Sequence, residues 1–341
     1  MKKIAVQDAL GQVLCHDMTA ILETGFKGVR FHRGHVINAE DIPAMLDIGK
    51  THIFVWEPGV NEVHEDDAAR ELVEVMCGEN LTYTGPSEGK FQISSAIDGV
   101  FCVNSKALRL INSVEHYTIA TRPGNSPVSA GEKLCGARIV PLVTKRSNVD
   151  LAVSIAAENA PVLCVKPYII KRVGAIITGS EIYNGRIQDA FEPILRRKIE
   201  RYGASLERVT ICDDDLDMIK GAIADYASSG IEVILLTGGM SVDPDDLTPT
   251  AIRESGASVI TQGVPMQPGN MLTIAPLGNT MLIGVPGASM HSPVTSLDVF
   301  LPRIMAKIEI SADEISGFGE GGFCMGCKTC TYPICYFGVS I

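Results

Sequence analysis

Apolar runs the length of a strand alternate with amphipathic stretches between residues 172 and 307. Val173–Thr178 is apolar and rich in β-branched residues, as in a strand buried on both faces, and Phe191–Tyr202 behind it has helical periodicity. The same pairing recurs as strand Leu206–Ile211 with helix Leu216–Ser229, strand Glu232–Thr237 with helix Pro249–Ser255, and strand Thr280–Val285 with a helix beginning near Ser289. This alternation predicts an α/β domain with an open, three-layer, mostly parallel sheet.

Residues 1–165 lack this alternation. Glu40–Ile48 and His64–Gly78 are amphipathic, and the second begins with three acidic residues, where a helix dipole favours them. Short β-like runs follow at Phe91–Ser94, Gly99–Val103, His116–Ala120 and Ala137–Leu142. We therefore predict three parts: an N-terminal α+β accessory domain over residues 1–165, the α/β domain over 166–310, and a Gly- and Cys-rich tail over 311–341.

The chain is acidic, since 29 Lys and Arg stand against 40 Asp and Glu and give a net charge of −11. Such a charge repels nucleic acid and anionic membranes, so we expect neither as a partner. An anionic ligand must then be held by local devices, such as backbone N–H groups, helix N-termini or a bound cation. The apolar runs are too short to span a membrane, and Gln7 and Asp8 interrupt the first of them, so we expect a cytoplasmic protein.

Three of the predicted strands end in small, glycine-bearing turns. A single such turn is most often only a tight connection. Right-handed crossovers place all three at one edge of a parallel sheet, where glycine lets the backbone approach a ligand and offer N–H groups to phosphate. The candidate binding residues in these turns are Thr178, Gly179, Ser180, Glu181, Thr237, Gly238, Gly239, Met240, Ser241, Pro286 and Gly287.

Acidic residues stand beside the same turns. Asp213-Asp214-Asp215 follows the second strand, and for Asp215 helix capping is as good an interpretation as function. For Asp189 and Asp246 the functional interpretation is stronger, because carboxylates beside anion-binding turns in an acidic protein are what a bridging Mg²⁺ requires.

Several of these segments together resemble a known family. Thr237-Gly238-Gly239-Met240-Ser241-Val242-Asp243-Pro244-Asp245-Asp246-Leu247-Thr248-Pro249 is similar to the signature of the molybdopterin-binding domain shared by molybdopterin adenylyltransferases and molybdopterin molybdenumtransferases. Thr178-Gly179-Ser180-Glu181-Ile182 resembles a second element of the molybdenumtransferases, and Pro268-Gly269 and Val285-Pro286-Gly287 resemble its later Pro-Gly turns. The resemblance covers residues 172–307 with its elements in order.

The resemblance implies roles for particular positions. The turn Gly238–Ser241 would hold a pterin phosphate, with Ser241 donating a hydrogen bond, and Pro268-Gly269 would add a further turn to the site. Asp189 and Asp246 match the family's two essential carboxylates, which would organise Mg²⁺ around phosphate or molybdate, and Asp214 matches an acidic position after the second strand. The sequence departs from the pattern at Ala190, where a small hydroxyl residue or Asn is common, and at Ala288–Met290, where molybdenumtransferases have Asn and Pro.

The leading functional interpretation is molybdenum cofactor biosynthesis by Mg²⁺-dependent insertion of molybdate into adenylylated molybdopterin. Adenylyl transfer to molybdopterin and nucleotide pyrophosphatase chemistry are alternative enzymatic interpretations. A carrier that binds the cofactor without turnover is a third. Expected partners are the pterin substrate, a molybdoenzyme or another cofactor-assembly protein, and a second copy of the chain, since this domain family commonly associates.

The ten cysteines fall into two groups. Six are scattered among apolar neighbours and are expected to be buried free thiols. Cys324, Cys327, Cys330 and Cys335 have the spacing C-x₂-C-x₂-C-x₄-C, which predicts a Zn²⁺ site or, less well, an iron–sulfur cluster. The alternative is a mobile, reactive terminal segment, reached through a flexible link at Gly317–Gly322.

Overall fold

The computed structural model describes residues 2–21, 25, 27–56, 59–87, 89–240, 243 and 246–339. The chain forms two compact units. The first comprises Met1–Ala96, Cys102–Gly124 and Ala130–Val165, and the second comprises Ile97–Phe101, Asn125–Ser129 and Lys166–Ile341. Two short segments from the first half of the chain therefore belong to the second unit. Each forms a β-strand, and the two strands are antiparallel, with Phe101 opposite Ser126.

As far as residue 167, the described residues form short strands and four α-helices. They are β1 (Lys2–Ala5), β2 (Met18–Ile21), β3 (Lys27–Phe31), α1 (Asp41–Asp47), β4 (His52–Val55), β5 (Glu62–His64), α2 (Glu65–Met76), β6 (Leu81–Ser87), β7 (Lys90–Ser95), β8 (Gly99–Val103), α3 (Ser105–Asn112), β9 (Tyr117–Thr121), β10 (Ser126–Val128), β11 (Lys133–Ile139), β12 (Val143–Lys145), α4 (Arg146–Glu158) and β13 (Leu163–Pro167).

Antiparallel pairing dominates the first unit. Its largest sheet has the strand order β6-β7-β11-β9, and the ribbons β1–β4, β2–β3 and β5–β12 are also antiparallel. Ala68, Leu72 and Met76 recur on one face of α2 and are fully buried. The amphipathic pattern of this segment is therefore explained by packing of α2 into the core of the first unit.

A six-stranded sheet forms the centre of the second unit, in the order β15-β14-β16-β19-β18-β17. Its strands are β14 (Arg172–Thr178), β15 (Ser205–Cys212), β16 (Val233–Thr237), β17 (Thr261–Gln262), β18 (Thr273–Leu277) and β19 (Thr280–Gly284). The strands β14, β15, β16 and β19 are parallel, whereas β18 is antiparallel to both of its neighbours. The predicted mixed α/β fold is confirmed.

Helices cover both faces of this sheet. They are α5 (Ser180–Tyr183), α6 (Phe191–Glu200), α7 (Leu216–Ser228), α8 (Thr248–Glu254), α9 (Ser296–Met305) and α10 (Ala312–Ser316). Along β14, Val173, Ala175 and Ile177 point into a core with α6 and α9, whereas Ile176 points into a second core with α7 and α8. The alternation of two apolar faces along one strand is what a doubly covered sheet requires.

The helix predicted near Ser289 begins later. Gly287–Met290 is a single 3₁₀ turn, and α9 starts at Ser296 with a capping box between Thr295 and Asp298. This reciprocal pair satisfies backbone N–H groups at the helix start, so it places the start after Pro293 rather than before it.

The strand order creates a crevice at one edge of the sheet. The chain passes from β14 to β15 on one side and then crosses to β16 on the other side of β14. In open α/β sheets such a reversal leaves a gap between the carboxyl ends of the two strands, where ligands bind. The turns after Thr178 and Thr237 therefore face the same crevice.

No helix in the described part of the chain combines the length and the apolar character needed to cross a membrane.

Close packing inside the sheet gives a test of the fold. A Cβ atom on Gly174 would lie 2.5 Å from two ring carbons of Tyr226, so we expect Gly174→Ala to lower the free energy of unfolding of the second unit by about 1–3 kcal/mol. Gly221→Ala in α7 is the matched control, because a Cβ there meets no atom within 4 Å, and it should stabilise by about 0.5–1 kcal/mol. Urea-dependent hydrogen exchange of β14 and α7 measures both. Equal stability of the two variants would contradict the described packing.

Candidate functional site

The turn after β16 approaches the end of β14 too closely for any side chain. Gly238 and Gly239 have φ of +83° and +51°, in the left-handed region. A Cβ on Gly238 would lie 2.0 Å from the carbonyl oxygen of Thr178 and 2.7 Å from its hydroxyl. Glycine is therefore required at Gly238 both by backbone conformation and by contact. The turn at the crevice between β14 and β16 therefore has backbone without side chains at Gly238 and Gly239.

Two threonine hydroxyls hold this turn in place. Thr248 Oγ1 donates to the carbonyl oxygen of Gly238 at 2.9 Å and lies 3.2 Å from Thr178 Oγ1. Because the Thr248 proton is used on the carbonyl, Thr178 must be the donor between the two hydroxyls. Thr248 was not among the predicted site residues, although its place at the start of a helix beside the signature was a usable signal.

Asp246 lies against the same turn. The position that a Cβ on Gly239 would take is 3.5 Å from the Cα of Asp246. The Asp246 carboxylate accepts a hydrogen bond from the backbone N–H of Asp243 at 3.2 Å, and the Asp246 N–H donates to the Asp243 carbonyl at 3.0 Å. The structure therefore brings the backbone of Asp246 against the glycine turn, and the Asp246 carboxylate is bonded to Asp243. Ser241, predicted to donate to phosphate, lies outside the described residues.

Residues on either side of the glycine pair point into the protein. Thr237 is fully buried, and its hydroxyl has no hydrogen-bond partner among the described residues. Met240 packs over β19, where a Cβ on Gly284 would lie 2.4 Å from its methyl group. The Met240 side chain is therefore part of the core.

Carboxylates from the end of β15 bind the turn after β14. The backbone N–H of Ser180 donates to Asp214 Oδ2 at 2.8 Å, and its hydroxyl lies 2.5 Å from Asp213 Oδ1 and 3.0 Å from Asp214 Oδ2. The N–H of Gly179 donates to the Cys212 carbonyl at 3.3 Å. Asp214 thus satisfies the backbone N–H of Ser180. Asp213, which was not predicted, completes this network.

Glu181 and Asp189 have local partners. The carboxylate oxygens of Glu181 would lie 3.3 Å from a Cβ on Gly179, so the side chain folds back over that glycine. Asp189 accepts from the N–H groups of Phe191 and Glu192 at 2.9 and 2.8 Å, one bond to each carboxylate oxygen. These bonds cap the start of α6, which Ala190 cannot do because it has no polar side chain.

The two later Pro-Gly turns differ from each other. Gly269 has φ of +106°, and a Cβ there would lie 2.6 Å from Ser296 Oγ. The N–H of Ser296 donates to the Pro268 carbonyl at 3.1 Å, so this turn supports the start of α9. At Gly287, which follows Pro286 at the end of β19, a Cβ would meet no atom within 4 Å. The second turn is therefore open to solvent at the edge of the sheet.

The cysteine-rich tail packs on the second unit. Phe318 and Phe337 are buried in the α6/α9 core, and the Tyr332 hydroxyl donates to the Asp298 carbonyl at 2.9 Å. Backbone hydrogen bonds of 2.8 Å join Gln267 to Gly322 and to Cys324. The prediction of a flexible link at Gly317–Gly322 is therefore wrong.

The predicted four-cysteine metal site is not formed. All four thiols line one cavity of about 300 Å³ beside Pro268, but the described residues contain no group of three or more His, Cys, Asp or Glu side chains that could hold a metal ion. The cause is anchoring: Cys324 is held by its backbone and Cys335 packs on the core, while Cys327 and Cys330 are exposed. The same finding covers Asp189 and Asp246, which form no preassembled cage.

Replacing the first glycine of the turn tests its geometry. Gly238→Ala should cost at least about 2 kcal/mol of unfolding free energy, because the new methyl group meets the Thr178 backbone and the conformation is left-handed. Gly287→Ala is the control, since it faces open space, and it should stay within about 0.5 kcal/mol of the parent protein. Chemical denaturation measures both, and a Gly238→Ala variant as stable as the control would contradict the close approach.

Thiol reactivity tests the placement of the cysteines. In mildly alkaline buffer we expect an alkylating reagent to modify Cys327 and Cys330 first, because both are exposed. Cys135 should stay unmodified, because it is buried and burial raises the pKa of its thiol to about 12. Burial also raises the pKa of Cys212, which should be protected too. Peptide mass mapping gives the order, denatured protein serves as control, and uniform labelling of the native protein would contradict it.

Comparison with known proteins supports the sequence resemblance. Residues 174–306 match a family model described as a probable molybdopterin binding domain, and residues 3–57 match a domain of unknown function. A molybdopterin molybdenumtransferase of Synechococcus elongatus is 26% identical over 181 residues, which are 50% of this chain and 42% of that protein. A CinA-like protein of Mycobacterium sp. (strain JLS) is 34% identical over 90 residues, 26% of this chain and 21% of that protein.

Two solved structures are among those to which the chain is similar. The molybdopterin biosynthesis enzyme MoaB of Thermus thermophilus has a TM-score of 0.34 and 22% identity, covering 41% of this chain and 96% of that one. The molybdopterin biosynthesis MoeA protein of Pyrococcus horikoshii has a TM-score of 0.35 and 14% identity, covering 90% of this chain and 75% of that one. The chain spans less than half the length of the curated relatives it matches. Over residues 174–306 the chain therefore matches the family described as a probable molybdopterin binding domain.

Proposed function

We propose that the second unit binds a phosphate-bearing pterin at the crevice between β14 and β16, and that the protein is an enzyme of molybdenum cofactor biosynthesis. The observation that carries the proposal is the Gly238-Gly239 turn, whose backbone is kept bare by contact with Thr178. A protein with a net charge of −11 needs such local backbone donors to attract a phosphate group.

Ser180 is the second element of the proposed phosphate site. Its backbone N–H and hydroxyl are now bonded to Asp213 and Asp214, so an acidic side chain occupies an anion-binding position. An arriving phosphate would replace Asp214 as the acceptor of the Ser180 N–H. The displaced carboxylate would then stand beside the phosphate, where its negative charge must be offset by a cation.

Magnesium fits this donor set as a partner of the substrate rather than as a preassembled centre. Mg²⁺ is commonly held by one or two carboxylates together with water and phosphate oxygens. We assign Asp246 as its first protein ligand, because Asp246 lies against the glycine turn. Asp189 is the second, since each oxygen that caps α6 keeps a further lone pair. When bound, Mg²⁺ would neutralise charge on phosphate or molybdate oxygens.

The reaction we propose is molybdate insertion into adenylylated molybdopterin with release of AMP. The chain's own residues would act by position and charge: the glycine turn and Ser180 hold phosphate oxygens, and Asp246 and Asp189 orient the cation. No residue of the crevice is proposed as a nucleophile. The match to a molybdenumtransferase of Synechococcus elongatus supports this reaction.

The proposed reaction is separated from its alternatives by one set of assays. Purified protein with molybdate, Mg²⁺ and adenylylated molybdopterin should release AMP and form active cofactor. Consumption of ATP with molybdopterin alone would instead indicate an adenylyltransferase, and hydrolysis of free dinucleotides a pyrophosphatase. Tight pterin binding without any turnover would contradict an enzymatic function and indicate a carrier.

Removing one carboxylate tests the role of the cation. Asp246→Asn should reduce Mg²⁺-dependent turnover at least about 100-fold, because the change removes charge beside the phosphate site while keeping the side-chain shape. Asp313→Asn, the same change at an exposed position in α10, should leave turnover unchanged. Steady-state AMP release across a Mg²⁺ titration measures both. Full activity of Asp246→Asn would overturn the assignment of this carboxylate.

A further inference from the structure

Basic side chains gather on the outer face of the ribbon formed by β1 and β4. In its antiparallel register Lys3 stands opposite Phe54 and Ala5 stands opposite His52. Residues opposite each other, and residues two apart, share a face of a β-ribbon, so Lys3 and His52 project on the same side. Ile53 projects on the other side into the core of the first unit, and Ile4 packs against that core. Because the isoleucines point into the core, the side chains of Lys3 and His52 point away from it.

A cavity of about 350 Å³ lies on this outer face. Lysine or histidine side chains contribute four of its lining residues: Lys3, His16, Lys50 and His52. Thr51 adds a hydroxyl group, and no Asp or Glu belongs to the described lining. In a chain with eleven more acidic than basic residues, a cavity whose ionisable lining residues are all Lys or His is a local reversal of charge.

Backbone and thiol contacts hold these groups around the cavity. The thiol of Cys15 donates to the carbonyl oxygen of Phe54 at 3.0 Å, which fixes the segment carrying His16 against β4. The carbonyl of Thr51 accepts from the N–H of Val6 at 3.0 Å, which fixes the turn that carries Lys50. Two segments are therefore tied to the ribbon by contacts within the first unit.

We propose that this cavity binds a phosphoryl group or another tetrahedral oxyanion. Two ammonium groups supply charge and several N–H donors, and His16 adds an imidazole. Thr51 Oγ1 lies 3.1 Å from Nδ1 of His52 and, by donating to it, leaves the His52 proton on Nε2 as a further donor to a compact polyanion. The volume exceeds that of a bare oxyanion and accommodates a small phosphate ester. The site belongs to the first unit alone and is independent of the function proposed for the second.

Binding of inorganic phosphate to the full chain tests the proposal. Isothermal titration calorimetry at low ionic strength should show saturable binding, weakened at least about tenfold in Lys3→Gln/Lys50→Gln, because two charged hydrogen-bond donors are lost. The control is Lys106→Gln/Lys133→Gln, which makes the same change in net charge at two exposed positions and should bind as the parent does. Equal weakening in both double variants would mean general electrostatic attraction and overturn the site.

Two further measurements complete the test. The side-chain NMR signals of His16 and His52 should shift on addition of phosphate, while those of His116 should not. Unchanged His16 and His52 signals would overturn the proposal, even if the calorimeter records heat of binding. Ribose 5-phosphate binding at least about tenfold tighter than inorganic phosphate would identify an ester as ligand, and equal binding a free oxyanion. The site in the second unit is measured by AMP release and this one by the His16 and His52 signals, so failure at one site does not decide the other.

Discussion

The approach of Gly238 to the carbonyl oxygen of Thr178 is the contact on which the rest of the site depends. It joins the carboxyl ends of β14 and β16 at the point where the strand order reverses. Any side chain at Gly238 would separate these ends, since its Cβ would lie 2.0 Å from that oxygen. The hydroxyls of Thr178 and Thr248 then fix the turn, and Asp246 is carried against it by the loop that leads into α8.

Carboxylates serve two purposes around this crevice. Asp189 and Asp215 bind N–H groups at the starts of α6 and α7, as helix caps do. Asp214 binds the N–H of Ser180. Under the proposed function, this carboxylate keeps the backbone donor satisfied until a more highly charged phosphate displaces it.

Local patterns were sufficient to predict the four parallel strands and the glycine turns, because each is specified by a continuous run of sequence. The antiparallel strands β17 and β18 were not predicted, because β17 has only two residues and β18 contains Pro276, which interrupts a strand pattern. The local sequence also could not predict that Ile97–Phe101 belongs to the second unit, because this depends on pairing with a strand that is distant in sequence. For Asp189 the sequence suggested a metal ligand, and only the three-dimensional contacts reveal its capping bonds.

Hydrogen exchange in the presence of molybdopterin tests the central claim most directly. The account predicts that the ligand slows exchange in the peptides containing Gly179–Ser180 and Gly238–Met240, because their backbone N–H groups become phosphate donors. Protection confined to the opposite edge of the sheet, around Ile170 and Lys307, or no protection at a ligand concentration that saturates the protein, would contradict it.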